Sequence, residues 1–583
     1  MKKHCILFFS MLILLGSSAI HAQGTWMALN TMPVDTAGGG MLLLSDGTVV
    51  AKTFTASSGL YGSVGDIWNR LTPDSTGSYV NGTWSHIAPM NSTRLYFSSQ
   101  MLKDGRLYVA GGEYGRGLNK AETYDPVADT WTPVPVPGGD TLYDANSAML
   151  PDGKVLQAVI VSPALNSNIL FDPLSNSYLP APASHGSPDE AAFVKLPDHS
   201  ILYVQNPIIT VNYRSERYIP ATNQWVQDAF LPDSLWKHSE IGTGMLLPNG
   251  KAIFFGASGH TAYYTPSGTI APGTWTAGPD LPGGLGTADA AAAMLPNGNI
   301  LLVASPKPSS DTSVFLTPTF FLEFDYRSNQ FTMLTAPGGG PSINATCYQF
   351  NLLNLPDGTV MLSYMGDTHY YIYKSPGTPL LSAKPTIGVL SGSNCRYTLT
   401  GTLFNGICEG SSYGDDWQTA TNYPIIRFTK GTNVYYARTF NWNRTGVQTG
   451  TLADTVQFMV PAYMPGGTYA MQVTANGVAS DAVMWTYVPC ATGIAEQQQT
   501  EAALSVFPNP TGGLTNIEFI NKQGGAYTVR LFDMFGREIF QEQGHGDPGR
   551  NLLKLQTGGF AKGVYLLSLT NKDDTLLARL VVE

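Results

Sequence analysis

The chain has 583 residues, several times the length of a common domain, so two or more domains are expected. Charged residues make up only 13% of the sequence, while 62 glycines and 39 prolines exceed the usual share, a combination typical of short strands joined by turns. The formal net charge is −10 and no run rich in lysine or arginine occurs, which argues against nucleic acid and anionic membranes as partners.

Residues 1–22 have the pattern of a secretory signal peptide. Two lysines precede an apolar run, and small residues precede Gln23. The run is too short for a membrane anchor and nothing comparable follows, so we predict no transmembrane segment. Secretion places four remaining cysteines in an oxidising compartment. We expect a disulfide between Cys395 and Cys408, which closes a loop of hairpin length, with Cys490 as the alternative partner.

Residues 23–380 contain an internal repeat. Each copy consists of an apolar strand, a two-residue turn of the Asp-Gly type and a second apolar strand. The turns are 46 to 60 residues apart and begin at Asp46, Asp104, Asp152, Asp198, Asn249, Asn297 and Asp357. This spacing, with the glycine pair Gly111-Gly112 before an acidic residue, resembles kelch propellers. The resemblance implies a propeller of seven four-stranded blades.

The two ends of the repeat region complement each other. Most copies carry two aromatic residues seven positions apart, but the last copy ends after Tyr373 without the second one. The sequence around Trp26, near the start of the repeat region, supplies an unmatched aromatic residue. We therefore predict that the Trp26 segment forms the outer strand of the last blade and closes the ring, which removes an open sheet edge.

Residues 384–490 have alternating strands without the repeat and are predicted to form a β-sandwich. Their position behind the propeller resembles the immunoglobulin-like domain of galactose oxidase and its relatives. Residues 491–503 are polar and are predicted to form a linker. The predicted fold class is therefore all-β: a seven-bladed kelch-type propeller, an immunoglobulin-like β-sandwich and a small C-terminal β-sandwich.

Residues 504–583 resemble the C-terminal sorting domain of the type IX secretion system. The resemblance is carried by the segments VFPNPTGG, VRLFDMFGREIF and KGVYLLSLTNKDDTLLARLVVE. The motif residues are Pro508, Asn509, Pro510, Gly536, Gly563 and Tyr565. The resemblance implies an interaction with the secretion machinery, passage across the outer membrane, and release or attachment at the cell surface.

Copper radical oxidases similar to galactose oxidase share this domain order, so their ligand set was compared residue by residue. Tyr96 and Tyr348 match the positions of the two family tyrosines. Gln349 stands where the family has a histidine ligand, and Gly39 and Gly40 stand where the cross-linked cysteine belongs. The segment VYYARTFNWNR also lacks the last histidine. Because an amide is a poor copper ligand, copper is not expected.

When the repeats are aligned on their turns, polar residues recur eight or nine positions before the turn, at the start of the innermost strand. These positions hold Tyr96, Asp144, Glu190 with Asp189, Glu240, Asp289 and Tyr348, and Arg94 lies beside them. Equivalent positions surround one mouth of a propeller channel, so we predict an acidic mouth. His238 is a further candidate because it lies beside Lys237 and Glu240.

Carboxylates gathered in one mouth repel one another unless a cation, shared protons or solvent compensates them. They are therefore predicted to hold a metal ion, with calcium as the candidate, or a cationic or hydroxyl-rich ligand. The alternative is that they accept backbone N–H bonds that join neighbouring blades. The leading functional hypothesis is a secreted or cell-surface recognition protein that binds an extracellular glycan, protein or metal. The second hypothesis is an extracellular carbohydrate-active enzyme or divergent oxidase.

Overall fold

The fold is all-β, as predicted. The computed structural model of the chain describes residues 23–57, 64–160, 167–205, 214–238, 240–309, 314–393, 395–409, 419–489, 504–521, 523–533, 536–572 and 575–583. The predicted signal peptide, the predicted linker and Cys490 lie outside these ranges. The chain divides into two units, Met1–Cys490 and Ala491–Glu583. Among the described residues, no helix has the length and apolar character to span a membrane.

The seven repeated turns share one local structure. In each turn the Asp or Asn side chain accepts a hydrogen bond from the backbone N–H two residues later, at 2.9 to 3.1 Å. The residue between them has a positive φ, which favours glycine. His199 takes this position in the fourth turn with φ 69°. The Asp-Gly pattern therefore recurs because the turn geometry requires it.

Each turn joins the two inner strands of a four-stranded antiparallel sheet, and seven such sheets are present in the described part of the chain. We number them as blades 1 to 7 in the order of their turns. The strands of blades 1 to 3 are Ala37–Leu43, Val49–Thr53, Trp68–Thr72 and Thr83–His86; Ser98–Met101, Leu107–Ala110, Ala121–Asp125 and Thr130–Val134; and Ser147–Met149, Val155–Ala158, Asn168–Asp172 and Ser177–Ala181.

Blades 4 to 6 continue the same order from the innermost to the outermost strand. Their strands are Val194–Lys195, Ile201–Val204, Arg214–Ile219 and Gln224–Phe230; Gly244–Leu246, Ala252–Phe255, Thr261–Thr265 and Thr274–Ala277; and Ala292–Met294, Ile300–Pro306, Phe320–Asp325 and Gln330–Leu334. A short strand, Leu285–Gly286, also pairs with blade 6, and Arg94–Leu95 pairs with Tyr114–Gly115. Three 3-10 turns are described, at Pro282–Gly284, Cys347–Gln349 and Leu381–Ala383.

Blade 7 confirms the predicted ring closure. Its inner strands are Phe350–Asn354, Val360–Tyr364 and Tyr371–Lys374, and its outer strand is the N-terminal segment Thr25–Ala28. Trp26 lies opposite Tyr373 across this pairing, and their ring centroids are 4.8 Å apart. The indole N–H of Trp26 donates to the carbonyl oxygen of Thr335 at 2.9 Å, which also joins the strand to blade 6.

The β-sandwich packs on the propeller face that carries the repeated turns. Its strands, in sheet order, are Thr386–Ser393, Arg396–Thr402, Asp454–Met459, Asn433–Phe440, Ile425–Lys430, Gly467–Ala475 and Val478–Ala479, with Val483–Tyr487 paired to Gly467–Ala475. The Thr439 N–H donates to Ser45 O at 3.1 Å, and the Gln448 amide donates to Pro248 O at 3.0 Å. Because each innermost strand ends at a turn on this face, the strand starts lie at the opposite mouth.

The expected Cys395–Cys408 disulfide is wrong. Cys395 is disulfide-bonded, whereas Cys408 is a buried free thiol. Burial raises the pKa of the Cys408 thiol to about 12, so this group stays protonated at neutral pH. Cys395 and Cys408 are close along the chain, but this closeness does not produce a disulfide, because Cys408 packs into an apolar cluster with blades 5 and 6.

The C-terminal unit contains two sheets around its own apolar core. One sheet comprises Ser505–Phe507, Leu514–Asn521 and Gly549–Gln556, and the other comprises Glu538–Gly546, Gly525–Phe532, Gly563–Asn571 and Thr575–Val582. Alternate residues of the strands face inward and form the core, as in Ile517 with Phe519 and Leu567 with Leu569. This arrangement is the predicted small β-sandwich.

Candidate functional site

The innermost strands begin with an unusual backbone conformation at the mouth opposite the β-sandwich. Tyr96, Asp144, Glu190 and Asp289, each eight residues before a turn, all have positive φ values between 42° and 54°. This left-handed region is unfavourable for residues other than glycine, especially for tyrosine and glutamate. Neighbouring blades hold the conformation, since the Asp289 N–H donates to Ile241 O at 2.9 Å. The mouth is thus built from repeated strained positions.

Three carboxylates from blades 4, 5 and 6 meet in this mouth. Oxygen atoms of Glu190, Glu240 and Asp289 all lie within 4.8 Å of one another. Glu240 is positioned by a tight turn in which its N–H donates to Lys237 O at 3.0 Å and the Lys237 N–H donates back at 3.0 Å. Burial, with smaller contributions from the nearby Asp189 and Glu113, raises the pKa of Glu240 to about 7, and the hydrogen bond with Asp289 opposes this shift.

Asp144 adds a fourth carboxyl group beside this cluster. Its side chain is 7% exposed, and its Oδ1 accepts no hydrogen bond from any described residue. Burial raises the pKa of Asp144 to about 8, with further contributions from Glu113, Asp189 and Glu240. Burial and Glu113 also raise the pKa of Asp189 to about 6. At neutral pH this mouth therefore holds protons that isolated carboxyl groups would have lost.

Aromatic rings form the other wall of the mouth. The ring of Tyr96 lies 5.9 Å from that of Tyr114 and 6.5 Å from that of Tyr348, and Phe315 lies 4.7 Å from Tyr348, all edge to face. Together with the carboxylates these rings enclose a cavity of about 430 Å³. Its lining residues are Phe54, Val64, Leu95, Tyr96, Glu113, Tyr114, Glu190, Glu240, Asp289, Phe315 and Tyr348.

Glu113 is a cavity residue that the repeat alignment missed. It follows Gly111 and Gly112, whose φ values of 82° and 130° turn the chain after the second strand of blade 2. A Cβ atom at Gly111 would lie only 1.6 Å from Leu142 O, so glycine is required there. The glycine pair before an acidic residue was a visible signal, but it indicated only the kelch resemblance. Phe315 carries no comparable signal because it lies in a loop outside the repeat.

Two predicted mouth residues take other places. Arg94 is fully buried and forms an ion pair with Glu122 at 2.6 Å, and it also donates to Gly111 O at 2.8 Å. It therefore supports blade 2 and is not accessible to a ligand, which corrects its assignment to the mouth. His238 is half-buried with φ 58° and does not belong to the described cavity lining.

The residues present do not fit a copper centre of the galactose oxidase type. The side-chain oxygen of Gln349 accepts hydrogen bonds from the Thr346 N–H and hydroxyl at 3.1 and 3.2 Å, so this amide caps its own turn. Cys347 is buried and donates to Ala288 O at 3.0 Å, and burial raises its pKa to about 11. The tyrosines Tyr96 and Tyr348 thus meet without the remaining ligands.

The motif residues of the C-terminal unit have structural roles within its sheets. Asn509, between Pro508 and Pro510, donates to Arg579 O at 2.6 Å and accepts from the Val581 N–H at 2.8 Å. This pair of bonds fastens the loop to the last strand. Gly536 forms a turn with φ 77°, and Gly563 and Tyr565 lie on the strand Gly563–Asn571, where Tyr565 is buried.

Comparison with known proteins identifies two segments. Residues 505–583 match the model of the secretion system C-terminal sorting domain. The C-terminal unit is a type IX sorting domain. Residues 103–135 match the kelch motif. An F-box/kelch-repeat protein of Arabidopsis thaliana is 42% identical over 55 residues, a match that spans 9% of this chain and 14% of that protein.

Two solved structures are similar to the chain at low sequence identity. One is a fungal alcohol oxidase of the AA5 family in complex with copper, with a TM-score of 0.46 and 15% sequence identity. The match covers 80% of this chain and 100% of the oxidase chain. The other is the structure of YjhT, with a TM-score of 0.35 and 16% sequence identity. The match covers 53% of this chain and 99% of the YjhT chain. The sorting-domain match indicates a secreted or cell-surface protein, and the kelch match and the strand order show a kelch-type propeller. A propeller fold does not determine a function, which depends on the residues of the acidic mouth.

Proposed function

We propose that the protein recognises a positively charged extracellular ligand at the acidic mouth of its propeller. The observation that carries the proposal is the meeting of Glu190, Glu240 and Asp289 within 4.8 Å in a cavity of about 430 Å³. Burial, together with repulsion from neighbouring carboxyl groups, raises the pKa values of Asp144 and Glu240, and a positive charge there would favour their ionised forms. Calcium and organic cations are both members of this ligand class.

The position of the mouth supports recognition outside the cell. The β-sandwich covers the opposite face of the propeller, so it does not cover the acidic mouth. The sorting domain implies an interaction with the export machinery. We further propose that export delivers the protein to the outer side of the outer membrane, where the mouth meets its ligand.

A second candidate is a carbohydrate-active enzyme. Glu240, with its raised pKa, lies beside other carboxylates, and retaining glycosidases use two carboxyl groups roughly 5 Å apart as acid and nucleophile. The cluster of three carboxylates and the aromatic wall fit a bound cation at least as directly. Hydrolysis of an extracellular polysaccharide by the purified protein, lost in Glu240→Gln, would favour this candidate.

Thermal unfolding of the full-length protein tests the proposed recognition. Calcium chloride and putrescine are added separately at the ionic strength of a sodium chloride reference, and tryptophan fluorescence is recorded. At least one cation should raise the unfolding midpoint, because a ligand at 100 times its Kd stabilises the folded state by about 2.7 kcal/mol. The shift should vanish in the double variant Glu190→Gln with Glu240→Gln.

The matched control is Asp280→Asn, which removes a carboxylate that is 70% exposed, pairs with His260 and does not belong to the described cavity lining. This variant should keep the full shift. Equal shifts in the double variant and the control, or no shift with either cation, would refute a cation site in the mouth.

A further inference from the structure

The mouth cavity has two chemically different halves. One half is acidic and includes Glu113, Glu190, Glu240 and Asp289, and the other is formed by the rings of Phe54, Tyr96, Tyr114, Phe315 and Tyr348. No lysine or arginine side chain is among the described residues that line it. Any ligand that fills the cavity therefore contacts carboxylates and aromatic rings at the same time.

This combination distinguishes between kinds of cation. Calcium takes six to eight oxygen ligands at roughly 2.3 to 2.6 Å, and aromatic ring faces supply none. A weakly hydrated ammonium group instead gains from ring faces through cation–π attraction, as in aromatic cages for quaternary ammonium ligands. Its alkyl groups also bury apolar area against the rings.

A buried carboxyl group outside the cavity lining points to the same ligand class. Asp144 is 7% exposed, its Oδ1 accepts no hydrogen bond from the described residues, and it interacts electrostatically with Glu113 and Glu240 of the lining. A buried carboxylate oxygen without a hydrogen-bond partner is costly. A cation between the acidic and aromatic halves would stabilise the ionised form of Asp144.

We infer that the cavity binds an organic ammonium ion, held between the Glu190–Glu240–Asp289 carboxylates and the rings of Tyr96, Tyr348 and Phe315. The inference rests on the proposed function and names the class of ligand for the same mouth. The carboxylates compensate the charge, and the rings select for alkylated nitrogen over a hydrated metal ion. A protein side chain, a modified glycan or a small amine outside the cell could present this group.

Isothermal titration calorimetry on the full-length protein tests the inference with a matched pair of probes. Choline carries a trimethylammonium group, and 3,3-dimethylbutan-1-ol is its neutral counterpart with the same shape. Choline should bind at one site per chain, and the neutral alcohol should bind at least tenfold more weakly. Calcium chloride is titrated as the competing cation.

Substitutions in the aromatic wall separate ring contacts from general destabilisation. Tyr348→Phe keeps the ring and should retain choline affinity within about twofold, whereas Tyr348→Leu should lose about 2- to 30-fold, the range that a cation–π contact supplies. Tyr463→Leu removes a ring that is 74% exposed on the β-sandwich and should leave affinity unchanged. Equal affinity of Tyr348→Leu and the parent would overturn the inference.

The outcomes separate the inference from the proposed function. Binding of calcium without choline, sensitive to Glu190→Gln, would overturn the organic ammonium ligand and leave a cation-binding mouth. Equal binding of choline and its neutral counterpart would overturn the inference as well, because charge would then contribute nothing. Absence of binding by both cations would overturn the inference and the proposed function together.

Discussion

Single residues in the mouth have electrostatic surroundings that differ from those of ordinary surface carboxyl groups. Asp144 has a folded-state pKa of about 8, far above the usual value of 3.8, because burial and neighbouring carboxylates oppose its charge. The folded state therefore binds this proton more tightly than the unfolded state. Its stabilising contribution is complete below about pH 4 and is lost as the pH rises through 8.

We predict that Asp144→Asn flattens the pH dependence of stability between pH 5 and 8. The wild-type protein should lose stability across this window without added cation. The variant should lose less by up to about 4 kcal/mol, since the window spans three pH units below the raised pKa and each unit corresponds to about 1.4 kcal/mol. The measurement is urea unfolding at several pH values, followed by tryptophan fluorescence. The fluorescence reports on the unit Met1–Cys490, because all ten tryptophans lie before residue 490.

A suitable comparison variant is Asp481→Asn, whose side chain is 88% exposed. It should retain the wild-type slope. Parallel slopes in wild-type and Asp144→Asn would mean that Asp144 does not carry a raised pKa.

At the scale of strands, the features that could be predicted from the sequence are those that repetition and local chemistry determine, namely the repeated turns and the closing strand. The Asp46 turn and its six equivalents recur because each needs a side-chain acceptor and a residue that tolerates positive φ. Closure by Trp26 followed from the unmatched aromatic residue after Tyr373. Glu190 and Asp289 occupy equivalent positions before their turns, so the sequence predicted that they lie at the same mouth. The structure brings them together because the blades share one register.

The features that escaped prediction depend on contacts outside the repeat. Glu113 and Phe315 reach the cavity from loops, whose paths the blade register does not determine. Arg94 was placed at the mouth because of its position beside Tyr96, but a buried partner, Glu122, holds it inside the blade. The pairing of Cys395 with Cys408 failed likewise, because Cys408 is a buried free thiol and loop length does not reveal this.

The closing strand provides a test at this scale. Trp26→Ala removes an indole that contacts Phe321 edge to face, lies tilted against Tyr373 and donates to Thr335 O. The substitution should lower the free energy of unfolding by about 2 to 4 kcal/mol. Met27→Ala in the same strand removes a side chain that is 38% exposed. This substitution should change the free energy of unfolding by less than about 0.5 kcal/mol. Similar effects of the two substitutions in urea unfolding would show that the closing strand does not depend on Trp26.

At the scale of the molecule, each unit has its own task. The sorting domain implies an interaction with the export machinery, and the β-sandwich covers the turn face of the propeller, opposite the acidic mouth. The mouth combines strained backbone positions, clustered carboxylates and aromatic rings, a costly arrangement without a compensating ligand. Binding of a cation and release of the protons held there should therefore be one coupled event.

Proton release on cation binding tests this account most directly. Calorimetric titration of the full-length protein at pH 7 with calcium chloride and with choline chloride, each in two buffers of different ionisation enthalpy, measures the protons exchanged. We predict net proton release with the cation that binds, because its charge lowers the pKa values of Asp144 and Glu240, and less release in Asp144→Asn. Binding with no proton exchange, or the same exchange in Asp144→Asn, would contradict the account.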